Sequence, residues 1–273
     1  MDVREGTSES HTAAWIKAFV LEMIDQIGRM RMGAIVSDST GNTRLFRELL
    51  AEEIPTLLNL PDIVHFISNM IKDIVRLDYF NNTISILRST ITKFHKSHIG
   101  ESELAAVHPL LGITKGLDAI GKTRFGTVII AAWSLQRNLP CIRKIVERAK
   151  FDMGKLAVHF RGQTRASLEF EFGLARLIDL GSPALKALTC LEANEATAGD
   201  VYLFWHAMLW AIKEALVNPD AEFPEEVQEQ VIGILNARHN QIFGNGNLST
   251  ASNLYLSGAY LNPSALQLTS THR

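Results

Sequence analysis

The chain has 273 residues, 47% of them hydrophobic, enough for one large core or two smaller ones, so it is not a disordered polymer. Against 29 Asp and Glu stand 27 Lys and Arg, and the formal net charge of -2 excludes a general attraction to nucleic acid: any polyanion contact has to be local. Cys141 and Cys190 have no metal-ligand spacing, no apolar run reaches the roughly 18 residues of a membrane span, and MDVREGTSES is not a leader, so an intracellular protein without membrane contact is expected.

From His11 to Ile27 the apolar residues Ile16, Phe19, Val20, Met23, Ile24 and Ile27 fall on one helical stripe, closed by Gly28. MGAIVS, residues 32 to 37, is short, apolar and β-branched, and predicts a strand. TGNTRLFRELLAEEI then reads as a turn and a helix with Leu45, Leu49 and Leu50 inward. TLLNL, residues 56 to 60, is compatible with a second strand, a helix end or an extended loop. PDIVHFISNMIKDIVRL predicts a helix capped by Asp62, its buried face formed by Ile63, Phe66, Ile67, Met70, Ile71, Ile74 and Val75. Further on, NNTISILRSTITKFHKSH, TRFGTVIIAAWSLQRNL, CIRKIVERA, SPALKALTCLEAN, ATAGDVYLFWHAMLWAIKEAL and FPEEVQEQVIGILNARHNQIF all show periods near 3.6, with breaks at Pro140 and at Ser182-Pro183. The expected fold is mostly α, with a small α/β region over residues 1–76, an all-helical domain over 77–243, and an irregular tail rich in Gly, Ser, Thr and Asn over 244–273.

Several residues could carry chemistry. Asp38 ends the predicted strand, where α/β folds commonly place ligand or metal groups, and the ordinary alternative is an Asx turn that starts the next helix. Asp62 and His65, three apart, suit proton transfer or metal binding; the ordinary alternative is a cap and a first-turn residue. GKTRFG sets Lys122 and Arg124 among glycines without the spacing of a P-loop. TKFHKSH gathers Lys93, His95, Lys96 and His98 at what reads as a solvated helix end, and the aromatic run VYLFWHAMLW reads as core. No HExxH, CxxC pair or nucleophile motif is present.

Taken in order, AIVSDSTGNT, LPDIVHFISNMIKDI, IGKTRFGTVIIAAWSLQR, ALTCLEANEATAGDVYLFW and LYLSGAYLNP resemble the transposases of the hAT superfamily, particularly the fungal type, over about residues 11 to 262. The resemblance implies a ribonuclease-H-like core interrupted by a helical insertion, acting on DNA in the nucleus with Mg2+ or Mn2+ held by three acids. On it, Asp38 corresponds to the second acid and metal ligand, Asp62 and His65 to a DNA-contacting motif near the active site, and Arg124, with Lys122 beside it, to a DNA-binding position. Phe125 stands where the family has tryptophan. The other two acids, the zinc-finger domain and the dimerisation segment have no counterpart, which leaves homo-oligomerisation open. The expectation is a truncated α/β remnant with its helical insertion, related to DNA transposition but inactive alone; the alternative is a helical module that binds protein or DNA.

Overall fold

The structure, a computed structural model, describes residues 12–38, 40–121, 125–244 and 249–262. It is mostly helical, with 75% helix against 3% strand, as the periodicity predicts. Contacts divide the chain into two compact units: the first takes Met1–Phe66, Leu191–Phe204 and Asn236–Arg273, the second Ile67–Cys190 and Trp205–Leu235. The chain passes between units at 66/67, 190/191, 204/205 and 235/236, where the sequence reading sets boundaries at 76 and 243.

In the first unit, helix α1 (Ala13–Ile27) begins where the Thr12 hydroxyl accepts from the Trp15 amide and ends at Gly28, whose φ of 101° suits glycine. Strand β1 (Ala34–Ser37), helix α2 (Gly41–Glu53) and strand β2 (Leu58–Pro61) follow, and the strands pair in parallel, Ala34 opposite Leu58 and Ser37 opposite Pro61. A parallel pair needs a crossover, and α2 supplies it. TLLNL is thus partly strand: so short a stretch carries no decisive period, and pairing with β1 selects the extended state. Ala13, Ile24, Phe46, Leu50, Ile54 and Leu57 form the core, with Met32 and Ile35 against it. Leu45, expected inward, is 46% exposed, because α2 turns Phe46, Arg47 and Leu50 toward the interior. Helix α3 starts at Ile63. The first unit also holds the start of α8 (Ala198–Val217), the end of α9 (Glu225–Phe243) and α10 (Ser249–Tyr260). Helix α10 corrects the reading of residues 244–273 as wholly irregular: Tyr255 and Ala259, one helical turn apart, are both buried, and that pair outweighs a composition poor in helix formers.

The second unit holds the rest of α3 (Ile63–Val75), α4 (Asn81–His95), α5 (His98–Val107), α6 (Gly126–Arg148), α7 (Arg165–Leu191, to Cys190) and the remaining parts of α8 and α9. The predicted face of α3 is buried throughout. The breaks expected at Pro140 and Pro183 do not occur; both residues lie inside α6 and α7. An internal proline costs about 3 kcal/mol, but apolar side chains on both sides of each, Leu135 and Ile142 about the first, Leu180 and Leu185 about the second, return about 1.5–3 kcal/mol apiece on burial. The Ser182 hydroxyl donates to the Ile178 carbonyl at 2.5 Å beside Pro183.

Candidate functional site

In the first unit the two paired strand ends, Ser37 and Pro61, are each followed by an aspartate, so Asp38 and Asp62 emerge side by side at the carboxyl end of the sheet. The Asp62 amide donates to the Ser37 carbonyl at 3.0 Å and extends the ladder by one residue. At Asp38 the Thr43 hydroxyl donates to Oδ1, and the amide and hydroxyl of Thr40 lie 3.4 and 3.3 Å from the same oxygen. This is an Asx turn that launches α2. The Thr43 hydrogen bond, followed by those from Thr40 and the electrostatic pull of His65, holds the Asp38 carboxyl below the usual carboxylate range.

A lowered folded pKa means that Asp38 contributes stability above its ordinary value of 3.8 and loses it as pH falls through the lower folded value. Replacing Thr43 by Val removes the first donor and is expected to cost about 1 kcal/mol at neutral pH, the size of a helix cap. Urea unfolding should show the gap between wild type and Thr43→Val narrowing once Asp38 is protonated in both. An equal gap at neutral pH and well below 3.8 would detach the effect from the carboxylate.

Asp62 caps α3: its Oδ1 accepts from the His65 amide at 3.2 Å and its carbonyl from the Phe66 amide at 3.2 Å. The bond joining Asp62 to His65 therefore runs to the backbone, not to the imidazole. Beneath both aspartates lies a residue the sequence reading passed over. Arg47, 2% exposed, donates from Nε to Asn59 Oδ1 at 2.8 Å, and from Nη1 to the carbonyls of Ser37 at 2.6 Å and Asp38 at 2.5 Å and to the Ser37 hydroxyl. One guanidinium thus joins α2 to both strands, which a planar fork does and an ammonium does not.

A two-ion centre needs several acids bridging and flanking the metals. Among the described residues no three His, Cys, Asp or Glu side chains converge, and one oxygen of each aspartate is already taken by a turn or cap. The Mg2+ or Mn2+ set that the resemblance implies does not fit this donor set.

The second unit offers a different arrangement. A cleft of about 520 Å3 is lined by Arg88, Thr92, His95 and Lys96 from the α4 region, by Ala119 to Gly121, and by Phe125 and Val128 at the start of α6. Its lining contains three basic side chains and no acid. Among the described residues Arg88 and Lys96 have no ion-pair partner. On α3, Lys72 Nζ lies 5.3 Å and Arg76 Cζ 6.0 Å from the centre of the Phe125 ring, so the aromatic edge of the cleft holds two more cations in place. Lys122 and Arg124 lie outside the described residues.

The wall opposite α4 is an extended segment, residues 112–121, tied down by side chains. Buried Asn138 donates from Nδ2 to the carbonyls of Lys115 at 3.1 Å and Gly116 at 3.3 Å, and receives His108 Nε2–H at Oδ1, 2.7 Å away. The Ser134 hydroxyl accepts from the Asp118 amide at 2.9 Å, and His95 Nε2–H donates to the Leu117 carbonyl at 3.1 Å. His95, read from the sequence as part of a solvated helix end, is exposed at the end of α4 and also ties that end to the 112–121 segment. Asn138 and Ser134 were readable as polar interruptions of the apolar face of WSLQRNL, a sign of side chains with partners. Of the aromatic run, Trp205 is fully buried, as core, while Trp210 is 65% exposed.

Comparison with family models, with curated proteins and with solved structures gives no match to this chain.

Proposed function

We propose that this chain is a DNA-binding module related to the hAT transposases, which holds DNA by its phosphate backbone at the basic cleft of the second unit and does not cut it on its own. The observation that carries the reading is the cleft itself: Arg88, His95 and Lys96 line it without an acid, and Lys72 and Arg76 stand at its Phe125 edge. In a chain of net charge -2, four cations gathered in one place, Lys72, Arg76, Arg88 and Lys96, form the local positive field that phosphate contact requires. Backbone contacts position a protein on DNA without reading sequence, so binding should vary little with base composition. With Lys72 and Arg76 over its ring, Phe125 acts as an anchor for cations in place of a base-stacking tryptophan. Lys122 and Arg124, between Gly121 and Phe125 in sequence, are kept as DNA-contacting candidates on the resemblance; Asp62 has the wrong charge for a direct phosphate contact and serves the helix start. The DNA partner and the nuclear location are proposed on the resemblance together with this cleft.

The non-catalytic half is supported by Asp38 and Asp62, each of which has one carboxylate oxygen committed to a turn or a cap. Incubating the full chain with duplex DNA and Mg2+ or Mn2+ should give no nicking, hairpin formation or strand transfer, while gel-shift binding persists and is unchanged in Asp38→Ala. Strand cleavage that Asp38→Ala abolishes would overturn it.

A further inference from the structure

Within the first unit, a second cleft of about 250 Å3 opens beside the carboxyl end of the sheet, walled by Val36, Leu60, Leu191 and Val201. Two polar side chains other than Thr197 line it, Asp62 and Tyr255. Tyr255 is 4% exposed, and among the described residues its hydroxyl has no hydrogen-bond partner. The hydroxyl oxygen itself is not sealed from solvent, so its hydrogen-bonding capacity is open to a ligand. Asp62 spends Oδ1 on the His65 amide, and no ion pair reaches its carboxylate among the described residues. Thr197 is already committed, its amide and hydroxyl donating to Asp200 Oδ2 at 2.8 and 2.7 Å. The nearby cation, Arg47, has its guanidinium turned to Asn59, Ser37 and Asp38.

The wall that carries Tyr255 is fixed by a close backbone approach: a Cβ placed on Gly199 at the start of α8 would stand 2.6 Å from the carbonyl of Gly258 on α10. The ring of Tyr255 is held edge-on to Phe243, 6.3 Å between centroids. Pocket, phenol and carboxylate are thus preorganised, and none of the described residues fills the cleft.

We infer that this cleft binds a small organic ammonium ion with an apolar body, its N–H groups donating to Asp62 Oδ2 and the Tyr255 hydroxyl. A cation is selected because the half-buried Asp62 carboxylate keeps one oxygen unused and makes no ion pair among the described residues. A phenol kept protonated by burial and by Asp62, its pKa raised to about 12, adds a neutral acceptor and a ring face for the cation. The volume is below the range of about 300–1,000 Å3 typical of drug-sized pockets and admits one ring or a short chain.

The site is independent of DNA binding in the second unit, and its test is separate. The full chain is titrated calorimetrically with 2-phenylethylamine and with 2-phenylethanol, which keeps the apolar body and lacks the charge. Saturable binding of the amine is expected, with the alcohol at least about tenfold weaker, since a hydrogen bond to a charged group is worth that much or more. Asp62→Asn, which keeps the helix cap, should weaken the amine by about tenfold or more, and Tyr255→Phe by roughly three- to tenfold. Equal affinity for amine and alcohol, or amine binding unchanged in Asp62→Asn, would overturn the proposal, as would the absence of saturable binding. Should Asp62→Asn fail the circular-dichroism check of folding, the comparison of the two ligands on the wild-type chain decides.

Discussion

Replacing Arg47 by alanine is expected to unfold the first unit or bring it close to unfolding. The substitution empties a site 2% exposed, leaves Asn59 Oδ1 without its donor and takes the charged donor from the carbonyls of Ser37 and Asp38, which keep their weaker bonds from the Asp62 amide and the Thr43 hydroxyl. A hydrogen bond from a charged group is worth about 1.5–3 kcal/mol, so losing one to each strand costs about 3–6 kcal/mol, against a whole-domain stability of about 5–15 kcal/mol. Arg47→Lys should recover only part of this, because a single ammonium cannot serve both strands at once. Arg47→Met, which fills the volume and supplies no donor, separates packing from hydrogen bonding: if Met restores wild-type stability in urea unfolding, the hydrogen bonds were not what held the strands. Far-UV circular dichroism should show most helix retained in Arg47→Ala, since the second unit has its own core.

The second large effect is expected at Gly199. Alanine there would place its Cβ 2.6 Å from both the carbonyl carbon and oxygen of Gly258 and 2.9 Å from the Ala259 amide nitrogen. All three are backbone atoms, so no side-chain rotation relieves the clash and α8 must move off α10. Overpacking of this kind costs about 1–3 kcal/mol. Gly258→Ala meets the same contact from the other side, 2.8 Å from the Gly199 amide nitrogen. The two substitutions report one contact, so the double variant should cost clearly less than the sum. Strict additivity in thermal melts would mean the helices are not in contact there. At Gly233, where an added Cβ meets nothing within 4 Å, alanine should be neutral or slightly stabilising.

Most of the helical architecture was legible because amphipathic helices write their buried face into the sequence. Every residue assigned to the apolar face of α3 is buried, from Ile63 to Val75. Legibility failed where tertiary contacts decide. Pro140 and Pro183 read as breaks because proline is a local signal, whereas the continuity of α6 and α7 depends on what packs on either side. Leu45 looked inward and Arg47 drew no reading; the register of α2 on two strands, one of which existed only as an ambiguous TLLNL, exposes the first and buries the second. At the sites the pattern is similar. Asp38 and Asp62 were identifiable by position, and their engagement in an Asx turn and a cap matches the ordinary reading of each. The basic cleft was not identifiable as a unit, because Lys72, Arg88, Lys96 and Phe125 come from three helices and share no motif. Tyr255 sat in a segment whose composition pointed to no structure at all.

The central claim, DNA held by its phosphates at the basic cleft, is tested most directly by the salt dependence of binding. Affinity of the full chain for a fluorescent duplex is measured between about 50 and 200 mM salt, for wild type and for the Arg88→Glu, Lys96→Glu double variant. Each lost phosphate contact lowers the slope of log affinity against log salt by about 0.9, so the double variant should lose about 2 from the slope. Its affinity at low salt should fall by roughly tenfold or more, with the melting temperature unchanged because both side chains are exposed. Equal slopes in the two proteins, or no salt-dependent binding by the wild type at the lowest salt, would contradict it.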